Sequence, residues 1–410
     1  MMYENMAILA GFVFFYSVVS GGLERTPING ALVFVLFGLM VGPLGLDWLQ
    51  LSLDSEGLRV LAEITLALVL FTDAAGADLG VLRQRIVLPR RLLLVGLPLT
   101  ILLGFGAGAF LFDSLGLFEV AILATMLAPT DAALGKAVVT NASVPDDLRQ
   151  GLNVESGLND GICVPILFVF LALAQGQSGD NGTMMLALEL VVEEIGIGLA
   201  VGLTVTAIGS VLVKTLGARG YMTKSWRQLP VVALATVCFA TAQLLGGSGF
   251  IAAFAGGMLF GWIVQEHKKK LLLAAEGTGD TTSLLTWVAF GAIVVGTSFD
   301  ALTWQVVVYS LLSLTVVRML PVFLSLYSTH LRVDEKLFAA WFGPRGLASI
   351  VFGVIVLNAD LPGGDIIGMT VLCTVFLSVV CHGVSANPLV AVLAARLKRS
   401  GQSATADKQA

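Results

Sequence analysis

Apolar runs long enough to cross a bilayer recur from one end of this sequence to the other. They lie approximately at 5–22, 29–44, 57–77, 92–112, 117–136, 150–174, 183–213, 229–246, 248–265, 281–299, 302–327, 336–358 and 364–394. A spanning helix takes about 20 apolar residues, so the runs predict an all-α polytopic membrane protein with thirteen transmembrane helices, the seventh being either one tilted helix or two elements. Composition agrees: of 410 residues, 57% are hydrophobic and only 12% charged. That is about half the usual charged share, and it leaves too little polar surface to coat a water-soluble particle. The net charge of −5 is small and the basic residues are dispersed, so no nucleic acid or acidic macromolecule is indicated as a partner. Cys163, Cys238, Cys373 and Cys381 all fall inside apolar runs, which argues against a disulfide framework. The opening MMYENM lacks a basic region, and the first run ends without a small-residue cleavage site; no removable signal peptide is expected.

Charge placement tests the count independently. Basic residues concentrate in cytoplasmic loops, and the connections after spans 1, 3, 5, 7, 9 and 11, with the tail, carry 20 of the 23 lysines and arginines. They include Arg25, Arg83, Arg85, Arg90, Arg91, Lys136, Arg149, Lys214, Arg219, Lys224, Arg227, Lys268, Lys269, Lys270, Arg332, Lys336 and Lys408. Arg59 sits at the mouth of span 3, while Arg318 and Arg345 lie within spans. A missed crossing would invert every later loop, so the N-terminus is expected outside and the C-terminus in the cytoplasm.

Spans 1–6 and 8–13 read as two inverted halves joined by span 7. Paired segments interrupted by Gly or Pro at equivalent positions are the sequence clue to a transporter site. Span 5 is broken by Ala128-Pro129-Thr130 and span 12 by Gly343-Pro344-Arg345-Gly346, each fifth in its half.

An ionisable group near the bilayer centre costs roughly 2.5–3.5 kcal/mol on insertion scales, so such groups are paired or functional. In span 5, Thr130 and Asp131 lie beside the break, where freed carbonyls become available to a cation. In span 6, spacings of three and four put Ser156, Asn159 and Asp160 on one helical face, with Glu155 and Asn159 as a second pair. In span 12, Arg345 lies about nine residues from the cytoplasmic end. Two carboxylates, hydroxyls, an amide oxygen and main-chain carbonyls form an all-oxygen site suited to a hard cation. Carboxylates in a low dielectric repel one another, so such a pocket takes either a metal ion or a proton, and the two compete. If only loaded states reorient, that competition is antiport. Arg345 is permanently charged and suited to paired hydrogen bonds; it is expected to neutralise Glu155 and tie span 12 to span 6.

Other polar residues carry less. Asp73 in span 3 either reaches the site through water or sits near the cytoplasmic interface. Glu63 and Arg318 face the interior or a helix end, and Glu189, Glu193 and Glu194 read as a solvated helix start. His267, His330 and His382 have no metal-ligand spacing. Gly257 with Gly261, and the Gly104/Gly106/Gly108 cluster, read as close helix packing.

The stretches LAPTDAA (Leu127–Ala133) and GLNVESGLNDG (Gly151–Gly161), with LFTDAAG (Leu70–Gly76) and GPRGLA (Gly343–Ala348), resemble the monovalent cation:proton antiporters of the NhaP and sodium/proton exchanger type. The likeness extends over nearly the whole chain. It implies an NhaA-like fold with inverted six-helix repeats, broken helices 5 and 12, and a homodimer in the inner membrane. The membrane domain would run over 1–394. Core helices near 92–174 and 302–394 would move against dimerisation helices near 5–77 and 229–299, with a linker helix near 183–213 and a short disordered tail at 395–410. The resemblance implies that Asp160, Asp131, Ser156 and the Thr130 carbonyl hold the cation with Asp73 assisting, and that Asn159, Glu155 and Arg345 stabilise the core. The Asn159-Asp160 pair resembles the electroneutral branch. No long cytosolic regulatory domain is expected, and Asp73 stands where a Glu is common. The implied activity is sodium or lithium exchange for protons, with transported ions and no cofactor. The alternatives are potassium/proton exchange, an intramembrane aspartyl hydrolase, for which the usual Gly-x-Gly-Asp signature is absent, and a passive cation channel.

Overall fold

The computed structural model describes residues 2–23, 29–49, 56–77, 87–131, 134–139, 141–176, 181–223, 226, 229–265, 268–297 and 302–406. Arg25, Arg83, Arg85, Lys224, Arg227, His267 and Lys408 lie outside them. All regular structure among the described residues is helical, as hydrocarbon demands of a chain whose peptide groups must bond within their own segment.

In chain order the helices are α1 (Met2–Leu23), α2 (Gly30–Val41), α3 (Glu56–Gly76), α4 (Val87–Arg91) and, after a π turn at Leu92–Gly96, α5 (Leu97–Leu111). There follow α6 (Leu117–Met126), the single turn α7 (Lys136–Val139), α8 (Asp146–Gly176), α9 (Asn181–Ala218), α10 (Leu229–Leu244) and α11 (Gly249–Ile263). The last are α12 (Lys268–Thr297), α13 (Trp304–Leu314), α14 (Val316–Ser325), α15 (Val333–Trp341), α16 (Leu347–Leu357) and α17 (Gly364–Ala406). Among the described residues, six stretches are long and apolar enough to cross a membrane: Tyr3–Leu23, Val87–Leu111, Asp146–Gly176, Leu188–Ala218, Trp304–Ser325 and Gly364–Arg399. Helices α2, α6, α10, α11 and α16 are apolar but shorter.

Two interruptions position the site. Helix α6 stops at Met126 because Pro129 lacks an N–H and disfavours helical geometry in the residue before it. The chain then runs without helix from Leu127 to Asp131. Helix α15 stops at Trp341, Phe342–Gly346 is irregular, and α16 begins at Leu347. Helix α8, by contrast, continues through Pro165. It packs on α6 and α3, while α16 packs on α17, α6 and α3.

Some elements run differently from the sequence expectation. The seventh run is one helix, α9. Helix α12 begins at Lys268, well before the apolar run at 281. Helix α17 continues to Ala406 where a disordered tail was expected from 395; Ala395, Ala394, Leu397, Lys398 and Arg399 are strong helix formers and prolong it. The Gly257 and Gly261 reading agrees with the packing: a Cβ on either would strike the α3 backbone, at Phe71 and Ala75. In the other cluster Gly104 and Gly108 lie against Tyr309 and Val120, but Gly106 faces open space.

Candidate functional site

Helix α8 lays one polar face against the first interruption. Ser156 Oγ donates to the Thr130 carbonyl at 2.7 Å, and Asn159 Nδ2 donates to Thr130 Oγ1 at 2.7 Å. The spacing of three residues between Ser156 and Asn159 places both on the same side of the helix, so one extended residue satisfies both. Asp160 follows on this face, 7% exposed. Its Oδ1 and the Oδ1 of Asn159 are buried with no hydrogen-bond partner, an uncommon condition that marks a place where a partner is due. Asp131 and Asp73 are the charged groups that bear electrostatically on Asp160. A small cavity lined by Thr130, Asp131, Ser156, Leu152, Phe342 and Pro344 lies beside these groups.

Asp131 is held by main chain on both oxygens. Its Oδ1 accepts from Leu134 N at 2.9 Å and its Oδ2 from Leu347 N at 2.8 Å, while its own N–H donates to the Pro344 carbonyl at 2.8 Å. Leu347 is the first residue of α16, so an acid from the first interruption caps a helix begun at the second, where the macrodipole favours negative charge. The reverse contact is also made. Arg345 Nη1 donates to the carbonyls of Ala128 and of Pro129, the latter at 2.9 Å. Ser349 Oγ donates to the Met126 carbonyl at 2.8 Å. A cation and a hydroxyl from the second interruption thus satisfy carbonyls left bare where α6 ends. Glycine is required at both ends of the Gly343–Gly346 turn, because a Cβ at Gly346 would overlap the Asp131 carboxylate and one at Gly343 the Arg318 guanidinium.

The arginine assignment from sequence needs correcting. Glu155 pairs with Arg318, Nη1 to Oε1 at 2.6 Å and Nη2 to Oε2 at 3.0 Å, both side chains essentially inaccessible at 2% and 1%. The Arg345 side chain bonds through Nη1 alone, to the Ala128 and Pro129 carbonyls just past α6, its buried Nε and Nη2 making no hydrogen bond, and the Glu155 carboxylate goes to Arg318 of α14. Arg345 still contributes electrostatically around Glu155, and it stabilises the core through the interruption rather than through that acid.

Asp73 is half-buried where α3 crosses α8. Its carbonyl oxygen and Cβ would lie 3.3 and 3.4 Å from a Cβ on Gly157, so the glycine between Ser156 and Asn159 lets α3 approach. The acids bearing on Asp73 are Asp131, Asp280 and Glu276. Glu63 pairs with Arg59 at 3.1 Å. His330 is exposed beside Asp147 at 3.6 Å. Glu189 and Glu193 are exposed and Glu194 is half-buried.

The sequence pattern of the transmembrane sodium/hydrogen exchangers matches residues 11–392. The chain belongs to that family. Among its relatives, a probable Na+/H+ antiporter of Schizosaccharomyces pombe is 25% identical over 381 residues, covering 87% of this chain and 49% of the relative. The K+/H+ antiporter NhaP2 of Shewanella sp. (strain ANA-3) is 21% identical over 380 residues, covering 92% and 64%. This exchanger-family chain therefore spans between 49% and 64% of the length of these two curated relatives. The solved sodium proton antiporter MjNhaP1 of Methanocaldococcus jannaschii, at pH 8, superposes with a TM-score of 0.75 and 22% identity, covering 96% of this chain and 99% of the other. That likeness establishes the fold.

Two further residues of this exchanger-family chain brace the second interruption without having been singled out from sequence. Ser378 Oγ accepts from Arg345 N at 2.7 Å, and His382 Nε2 lies 3.0 Å from the Trp341 carbonyl, with its Nδ1 3.2 Å from Ser378 Oγ. Nε2 donates to the Trp341 carbonyl when it carries the proton, while Nδ1 faces both the Ser378 hydroxyl and, at 3.0 Å, the Ser378 carbonyl. The sequence signal was their i,i+4 spacing on one helix, Ser378 to His382, in an apolar run that has no other use for them.

Proposed function

We propose that this protein exchanges sodium or lithium for protons across a membrane, cation and proton competing for Asp160 and Asp131. One observation carries the reading: a buried acid, Asp160, and a half-buried one, Asp131, bear on one another beside an interrupted helix, with the orphaned Asp160 Oδ1 and Asn159 Oδ1 and the Thr130 and Ser156 oxygens around them. An oxygen-only donor set of this kind suits a hard monovalent cation. A proton neutralises the same carboxylates, so either ion discharges the pocket and lets it reorient. Asp73, on a separate helix, adds a further acid that can reach the cation through water.

The finer architecture belongs to this reading. Thirteen crossings in two inverted halves, N-terminus outside and C-terminus cytoplasmic, are supported by the alternation of basic residues. Helices within 92–174 and 302–394 would form the moving group, those within 5–77 and 229–299 a dimerising scaffold, and 183–213 the link. Asn159, Glu155 and Arg345 would hold the moving group together. One cation for one proton follows from the single acid in the Asn159-Asp160 pair, and an inner membrane is the expected location. Proteoliposomes decide the matter: an imposed sodium gradient should drive proton movement in the wild type and not in Asp160→Ala. Potassium/proton exchange is the second reading, favoured by the K+/H+ antiporter among the Shewanella relatives. Competing fluxes of sodium, lithium and potassium separate the two.

A further inference from the structure

Asn29 caps α2, far in sequence from the site, yet it reaches the residue whose N–H holds Asp131. Its Oδ1 accepts from Ala31 N at 3.0 Å, capping α2. That fixes the amide's orientation and turns Nδ2 toward the Leu134 carbonyl, to which it donates at 2.9 Å across 105 residues of sequence. Leu134 is 1% exposed. The N–H of the same residue donates to Asp131 Oδ1 at 2.9 Å. The run Asn29, Leu134, Asp131, Leu347 is therefore a continuous hydrogen-bonded line from the α2 N-terminus to the α16 N-terminus. The asparagine sits close against α17 as well, since a Cβ on Gly383 would lie 3.6 Å from Asn29 Cβ and 3.7 Å from a Leu32 methyl.

Neither end of this side chain is free to serve another purpose, and a residue needed only as a cap requires no donor. Serine and threonine cap helices nearly as well as asparagine but are too short to deliver an N–H to Leu134. We infer that Asn29 is a positioning residue for the cation site, acting through the backbone of Leu134 on the orientation of Asp131. The inference rests on the exchange reading above. In that reading Asn29 belongs to the scaffold and Leu134 with Asp131 to the moving group. The bond then exists only in the orientation seen here, and movement of the group leaves Leu134, one of the two main-chain supports of the acid, without its anchor on Asn29. Site geometry and orientation are linked by a single amide.

The test uses the full-length protein with Asn29→Ser and Asn29→Thr. Sodium is titrated both in proteoliposome exchange and against the thermal unfolding of purified protein. Losing the preorganisation of Asp131 should raise the half-saturating sodium concentration about three- to tenfold in both titrations, the scale of one neutral hydrogen bond. A fall in maximal rate with an unchanged or lower half-saturating concentration in both variants overturns the inference, because it makes Asn29 a cap alone. Failure of both variants to fold does the same. If the wild type exchanges no ions, the antiport reading fails separately, and the sodium-dependent unfolding still decides whether Asn29 acts on the site.

Discussion

Arg318 grips Glu155 with both arms of its guanidinium, at 2.6 and 3.0 Å, and the pair is shut away from solvent. Removing one member of such a pair strands the other. Arg318→Met should therefore destabilise the protein by about 3–5 kcal/mol, while Glu155→Met/Arg318→Met recovers most of that loss. Thermal unfolding and monodisperse yield measure both. A double-mutant cycle should couple Glu155 strongly to Arg318 and weakly to Arg345; the reverse ranking would refute the pairing.

Asp131 and Asp160 should separate in stability though not in transport. Asp160→Asn and Asp131→Asn should both abolish exchange in proteoliposomes. Asp131→Asn also sets an amide against one of two main-chain N–H donors, Leu134 and Leu347, at a cost of about 1–3 kcal/mol. Asp160, with an oxygen that accepts no bond, should tolerate the amide without losing heat stability. Equal unfolding temperatures for the two variants would contradict the structure.

Gly346→Ala forces a methyl group into the Asp131 carboxylate. The folded protein should survive with the acid displaced, so sodium should no longer raise the unfolding temperature of this variant. Wild-type response to sodium would show that the turn relaxes freely.

Thr130→Val removes the acceptor for Asn159 Nδ2 and leaves that amide buried without a partner, whereas Thr130→Ser keeps it. The valine variant should lose about 1–3 kcal/mol and weaken cation binding. The serine variant should stay close to wild type in sodium half-saturation and unfolding temperature.

If cation and proton share one pocket, acid must act as a competitive inhibitor of the cation. Half-saturating sodium should rise toward tenfold per pH unit on the acid side, the limit for one competing proton, with the maximal rate at saturating sodium preserved. A falling maximal rate at constant half-saturation would mean that protons act elsewhere.

Much of this site was legible in the residues themselves. Pro129 and the Gly343-Pro344-Arg345-Gly346 turn marked both interruptions, because proline removes a donor wherever it stands. Helical spacing brought Ser156, Asn159 and Asp160 to one face without any tertiary knowledge. The partner of Glu155 was not legible. Arg345 was expected there and Arg318 was left to the interior or a helix end, because depth along a span gives height in the bilayer but not azimuth. What separates them is that the α6 carbonyls needed a cation too. The bare C-terminus of α6, read from Pro129, held that clue. Asn29 was unreadable for another reason: it acts through main-chain atoms of a distant segment, which no side-chain pattern announces, whereas Ser378 and His382 left only their i,i+4 spacing as a signal. The helical continuation to Ala406 was hidden by polar composition, which says little about backbone conformation when good helix formers are present.

The mutual capping of the interruptions also imposes an order on biosynthesis. Asp131 and Leu347 are 216 residues apart in the chain. At about 5–20 residues per second, the ribosome needs roughly 10–40 s after making the first interruption before it delivers the second. Throughout that interval the nascent first half carries exposed carbonyls and an uncapped acid in the membrane, held by whatever water or insertion machinery surrounds it. The last third of the polypeptide completes the first.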